Sequence, residues 1–318
     1  MSIPKKHHFL PEFYQRRWCS SEDKKLQRYS RPIEKKIVSE RRFPSETGFE
    51  PFLYSLANLP AEEAQEIEQT FFKGIDDRAA TALDQLHRSQ TMTKDMGVYW
   101  WKFVITLMTR MPSDVRKYRE FRRRLSESVV PILEEVKNLP EFANRASEIE
   151  GAGGAVVQDQ TNSSTRGLVD LMSNEKLNSF LRQFHWRVIS TDDAPHELLT
   201  SDRPVDFQLT PSGSRARIRL PIGPRLLFLG SENLREIEAD VRSNKNQLTR
   251  EVNAVVVGNA EQYVIGRTDT QSSFVASKMG RMRTESFVDM LLKGLNKATP
   301  AIEDGMRRAL TEQAKLRE

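Results

Sequence analysis

Pro4, Pro11, Pro32, Pro44, Pro51 and Pro60 place six of the chain's 15 prolines in its opening segment. Proline lacks the backbone N–H and clashes with the turn before it, so residues 1–60 are expected to form short strands and turns instead of long helices. Strands are expected near Lys25–Tyr29 and Lys36–Val38. After Pro60 the pattern changes: Ile67, Phe71, Ile75, Ala79 and Leu86 recur with the spacing of a helix that buries one face. A second helix is expected from Lys94 to Arg110, and a third from the N-cap Ser113 to Val130, ending before Pro131.

Residues 148–166 lack periodicity and large apolar anchors and read as a flexible loop. A short helix at Asn174–Arg182 is followed by short runs of strand character at Trp186–Ser190, Glu197–Thr200, Val205–Leu209, Ala216–Leu220 and Leu226–Leu229. A long helix over Asn233–Val256 and a strand at Gln262–Ile265 complete the pattern. The expectation is an α+β fold with a helical N-terminal half packed against a small, mostly antiparallel sheet from the C-terminal half. It divides into a basic aromatic segment (1–60), a helical region (61–147), the loop (148–166), an α+β region (167–296) and a peripheral charged tail (297–318), all in one integrated domain.

With 38% hydrophobic and 29% charged residues among 318, the chain can bury a sizeable core, which excludes disorder throughout. Cys19 is the only cysteine, so neither an intrachain disulfide nor a multi-cysteine zinc site is available. No apolar run of signal-peptide length follows the N-terminal basic residues, and a cytoplasmic location is expected. The most apolar segment, Met96–Met111, contains Lys102 and Arg110 and falls short of the roughly 20 apolar residues of a membrane span. No membrane partner is expected.

The net charge of +5 is unevenly spread. Residues 1–50 hold 12 Lys and Arg against 7 Asp and Glu, and Arg116–Arg124 holds six cations and one acid. Nucleic acid or another phosphate-bearing ligand is the expected partner of such patches.

Four stretches carry candidate chemistry. Residues 5–18 combine His7 and His8 with Lys6, Arg16 and Arg17 and with Phe9, Phe13, Tyr14 and Trp18, a composition suited to clamping phosphate and stacking bases. The same aromatics serve equally as core anchors. Adjacent histidines point to opposite faces of a strand and chelate poorly, so one is expected to face inward and one outward. Asp76 lies beside the apolar stripe of its helix, where a carboxylate is either paired or functional. Arg110 ends the most hydrophobic helix, close to the interior, where a guanidinium needs an anion. In Thr200-Ser201-Asp202-Arg203-Pro204 a strand runs into a polar turn, and Asp202 either caps that turn or faces a cleft. No Walker A loop, G-x-G-x-x-G or H-E-x-x-H pattern is present, nor a G-x-S-x-G elbow around Ser201.

Taken in order, these motifs resemble the uncharacterised bacterial family DUF4238. The resemblance rests on Lys6-His7-His8-Phe9-Leu10-Pro11-Glu12-Phe13-Tyr14, Ile75-Asp76 in place of an Ile-Glu pair, Arg110-Met111-Pro112, Thr200-Ser201-Asp202-Arg203-Pro204, Pro221-Ile222-Gly223-Pro224 and Asn253. It covers residues 5–267 and implies a shared polar site, because the matched positions are mostly polar. The family carries no assigned function.

The leading expectation is a nucleic-acid-directed phosphodiesterase or nuclease. His7 or His8 would act as general acid or base, Asp76 and Asp202 as base, orienting acids or ligands to a divalent metal, and Arg110 as phosphate clamp. Lys6, Tyr14, Arg16, Arg17, Ser201, Arg203 and Asn253 are the expected substrate contacts. The alternatives are a non-catalytic basic binding or sensor module of a defence or toxin-type system, in which the same polar residues form a buried network, and a small-molecule hydrolase with a deep pocket.

Overall fold

The computed structural model describes residues 6–33, 36–138, 160–209, 216–282 and 284–315. Its strands are β1 (Lys6–His8), β2 (Leu26–Ile33), β3 (Lys36–Arg42), β4 (Phe49–Pro51), β5 (His185–Ser190), β6 (Thr200–Ser201), β7 (Asp206–Leu209), β8 (Ala216–Gly223), β9 (Leu226–Ser231) and β10 (Tyr263–Gly266). The α-helices are α1 (Glu12–Gln15), α2 (Ala61–Ala64), α3 (Lys73–His87), α4 (Lys94–Thr109), α5 (Pro112–Lys137), α6 (Gln160–Met172), α7 (Glu175–Arg182), α8 (Leu234–Arg242), α9 (Lys245–Gly258), α10 (Ser272–Lys278) and α11 (Phe287–Lys315). A π-helical turn, Ile67–Phe72, leads directly into α3.

The strands form three antiparallel sheets, ordered β1-β4, β3-β2-β10-β6 and β5-β9-β8-β7. The class is α+β, but the expected division into a helical first half and a sheet from the second half is wrong. β2 pairs with β10, Tyr263 opposite Ser30 and Gly266 opposite Gln27, so the opening segment supplies half of a sheet completed by the C-terminal half. Helices run through both halves.

Smaller corrections have local causes. The long helix expected over Asn233–Val256 is two helices: Ser243 is extended, and the Asn244 side chain accepts from the Gln247 N–H to start α9 afresh. α5 passes through Pro131 to Lys137, and α11 through Pro300. Of the expected loop 148–166, residues 148–159 lie outside the described residues, and Gln160 already begins α6. The expected tail continues α11, which packs against α5 and α4, pairs Arg307 with Glu135 of α5 and is mostly exposed beyond Lys293.

The third sheet is covered on both sides. Alternation in β9 sends Phe228 to the large core with Trp100 and Trp101, and Leu227 and Leu229 to a second cluster with Ile237, Leu248 and Val252 of α8 and α9. Gly230 is required there, since a Cβ on it would lie 2.8 Å from the Trp101 ring. No helix among the described residues is long and apolar enough to cross a membrane.

Candidate functional site

β1 sends its two histidines to different surroundings, as strand alternation requires. His7 is fully buried and stacks on Tyr54, ring centroids 5.7 Å apart. The Tyr54 N–H donates to His7 Nδ1 at 3.0 Å, so Nε2 carries the proton and donates to Gln65 Oε1 at 2.6 Å. Gln65 in turn donates to Ser55 Oγ at 2.8 Å. Both ring nitrogens of His7 are thereby occupied by the scaffold. His8, expected to face outward if His7 faces inward, is itself largely buried, with its ring against Phe49 and Nε2 3.7 Å from Glu12 Oε1. That nitrogen has no hydrogen-bond partner among the described residues.

Arg110 follows α4 and is 0% exposed. Its Nη1 reaches both oxygens of Asp76, at 3.3 and 3.4 Å, and its guanidinium lies 5.7 and 5.8 Å from the ring centroids of Phe72 and Phe103. The Arg110 carbonyl accepts from the Tyr54 hydroxyl at 2.7 Å. Nε and Nη2 are buried and have no hydrogen-bond partner among the described residues. Buried guanidinium donors left unmade are costly, and such a group calls for an explanation.

A residue missed from sequence completes the cluster. Glu68 lies in the π turn, largely buried, with Oε2 unpartnered, and the Arg110 and Asp76 charges both act on it. In an uninterrupted α-helix, positions 68 and 76 would point about 80° apart; the residue added by a π turn brings them to within about 20°. Ile67-Glu68 repeats the Ile75-Asp76 pair eight positions earlier, a signal present in the sequence but off the helical period. Phe52 is the other missed feature. It is 49% exposed, edge-on to His7 at 6.5 Å, and holds φ of 56°. A bulky aromatic residue in the left-handed region is strained, and such strain concentrates at functional positions.

The electrostatics follow from burial. Desolvation lowers the His8 pKa to about 4, opposed by Glu12 and assisted by the Arg110 charge, so the ring is neutral near pH 7. Burial raises Glu68 to about 7 and Asp76 to about 6, in each case against the pull of Arg110. Because the folded state prefers protonated Glu68, the group's contribution to stability is full below its ordinary pKa of 4.5 and is lost as pH rises through about 7. Glu68→Gln should therefore melt higher than the wild type near pH 8, by an amount equivalent to at most about 3 kcal/mol, and equally near pH 4. Thermal melts at the two pH values check this.

The other predicted residues gather elsewhere. The Tyr14 hydroxyl donates to the Pro221 carbonyl at 2.6 Å and pairs with Thr200 Oγ1 at 2.8 Å. Ser201 Oγ donates to the Val256 carbonyl at 2.9 Å. Both carboxylate oxygens of Asp202, 1% exposed, are taken by the backbone N–H groups of Glu261 (3.0 Å), Gln262 and Tyr263 (3.0 Å). Burial still raises its pKa to about 6, against the pull of those donors. Arg203 donates to Asp114 at 2.8 Å, Ser113 at 3.0 Å and Glu261 at 2.7 Å. Asn253 accepts from the Leu199 N–H at 2.8 Å and donates to the Glu197 carbonyl at 2.9 Å. This set ties β6, β8, β10 and α9 together, and no hydrogen bond or ion pair among the described residues joins it to Arg110.

Most cations of the basic clusters have partners, some acidic and some neutral. Lys6 donates to the Ser45 carbonyl at 2.9 Å, Arg16 pairs with Glu12 at 3.1 Å and Arg17 with Asp84. In α5, Arg116 pairs with Glu50, Lys117 with Asp289, and Arg123 and Arg124 with Glu120, while Arg119 and Arg122 bond Thr165 and Ser163. No group of three or more His, Cys, Asp or Glu side chains among the described residues is arranged to hold a metal ion.

Comparison of the chain with curated proteins and with solved structures finds no match to either. The model of DUF4238, a protein family of unknown function, matches residues 6–270, a span that holds the Arg110 cluster and the β6 turn alike. The chain therefore belongs to the DUF4238 family.

Proposed function

We propose that the chain is a phosphodiesterase acting on nucleic acid in the cytoplasm, with its chemistry at Arg110 and not at Asp202. One observation carries this reading: Arg110 keeps two buried donors unmade among the described residues, and its charge acts on an imidazole, His8, that is neutral and on a carboxyl, Glu68, that holds its proton to about pH 7. A partly buried base and a partly buried acid, both under the field of one guanidinium, are the pairing that acid–base hydrolysis between their two pKa values needs. In the proposed reaction His8 takes the proton of a water molecule as its oxygen attacks phosphorus. The bond to the leaving oxygen breaks, and Glu68 supplies that oxygen's proton. Arg110, oriented by Asp76, holds the negative oxygens through Nε and Nη2. His7 positions β1, and the exposed Phe52 ring offers a face on which a base can stack.

The test is hydrolysis of single-stranded RNA and DNA oligonucleotides and of bis(p-nitrophenyl) phosphate by the purified chain, with and without Mg²⁺ or Mn²⁺. His8→Ala and Glu68→Gln should each lower the rate by about 10²-fold or more while leaving circular dichroism unchanged. Wild-type protein that cleaves none of these substrates, or variants as active as the wild type, would refute the reading. The complete burial of Arg110 favours a second reading, a non-catalytic binding or sensor module, whose signature is oligonucleotide binding without cleavage.

A further inference from the structure

Away from Arg110, a cavity of about 130 Å³ lies between the end of α4, β7, the end of α9 and the start of α11. Met108, Phe207, Val255 and Phe287 form its apolar walls, and Asp206 and Asn259 also line it. Asp206 is 3% exposed, and its Oδ1 accepts from Gln208 Nε2 at 2.9 Å. Its Oδ2 is buried without a partner among the described residues, and so is Asn259 Oδ1. The cations near this carboxylate are committed elsewhere: Arg219 to Asp240, Arg217 to Gln208 at 2.6 Å, and Arg203 to Asp114 and Glu261. Two acceptor oxygens without a donor among the described residues, one of them of a carboxylate, therefore belong to residues that line a small cavity, whose walls also carry Arg203, Gln208, Glu285 and Ser286.

We propose that this cavity binds the ammonium group of a short alkylamine, donating to Asp206 Oδ2 and Asn259 Oδ1, with the alkyl chain against Met108, Phe207 and Phe287. The volume sets the size, since a cavity of about 150 Å³ accepts a benzene-sized molecule. The acceptors set the charge: an alcohol offers one neutral donor, and a carboxylate is repelled. Burial holds the Asp206 carboxyl above its ordinary pKa, and a bound cation restores its charge. The cavity shares Arg203, Asn259 and Met282 with a wider cleft of about 940 Å³, which gives the ligand a route in.

Isothermal titration of the full chain with n-butylammonium, 1-butanol and butyrate tests the proposal. n-Butylammonium should bind at least tenfold more tightly than 1-butanol, butyrate should not bind, and Asp206→Asn should weaken the amine at least tenfold. Should Asp206→Asn fail to fold, Val255→Phe fills the same space and should abolish binding. No binding of n-butylammonium to the wild type, equal binding of 1-butanol or butyrate, or affinity unchanged by Val255→Phe would overturn it.

Discussion

Replacing Arg110 with methionine is expected to destabilise the fold by about 3–5 kcal/mol near pH 8 and by much less near pH 5. The methionine refills much of the volume between Phe72 and Phe103, so the expected loss is electrostatic. Near pH 8 both Asp76 and Glu68 are ionised, and removing Arg110 leaves two half-buried carboxylates without the cation that pairs with one and attracts the other. Near pH 5 both carry protons, and the missing cation matters little. The pH dependence separates this account from simple loss of packing, which would cost the same at both values. Urea denaturation of both proteins at the two pH values supplies the comparison.

The second large effect belongs to the other polar group. Asp202→Ala removes the acceptor of three backbone N–H groups at residues 261–263, immediately where β10 begins. Each donor left unmade in a buried setting costs about 1–3 kcal/mol, and partial rescue by water brings the sum to about 3–5 kcal/mol. β10 is the strand that joins β2 to β6, so the loss should appear as global unfolding and not as local fraying. The protein that remains folded should hydrolyse substrate at the wild-type rate, because no hydrogen bond or ion pair among the described residues joins Asp202 to Arg110. A specific activity per folded molecule that falls along with stability would place Asp202 in the reaction after all.

The sequence made some of this legible for clear reasons. The four-residue recurrence from Ile67 through Ala79 reflects a face that is buried, with Ile67, Ile75 and Ala79 all in the core. The β7, β8 and β9 strands lie where short apolar runs between Pro and Gly place them. Local pattern could not reveal that β2 pairs with β10, because strand partners more than 200 positions apart share no local signal. The three-residue strands β1 and β4 are too short for alternation to register. Charge pairing is non-local for a related reason: the acids that pair with Arg17 and Lys117, Asp84 and Asp289, lie on distant elements. Among the site residues, His8, Asp76 and Arg110 were accessible as chemistry-bearing types at element ends. Glu68 was hidden, because the π turn that brings it into line with Asp76 breaks the 3.6-residue period by which a helix face is recognised.

The central claim is that His8 and Glu68 serve as base and acid around Arg110, and the pH–rate profile for bis(p-nitrophenyl) phosphate hydrolysis tests it most directly. The base must be neutral and the acid protonated, so kcat/KM should rise through about pH 4 and fall through about pH 7, with its maximum between them. Hydrolysis that is absent at every pH, or that continues to rise through pH 8, would contradict the account.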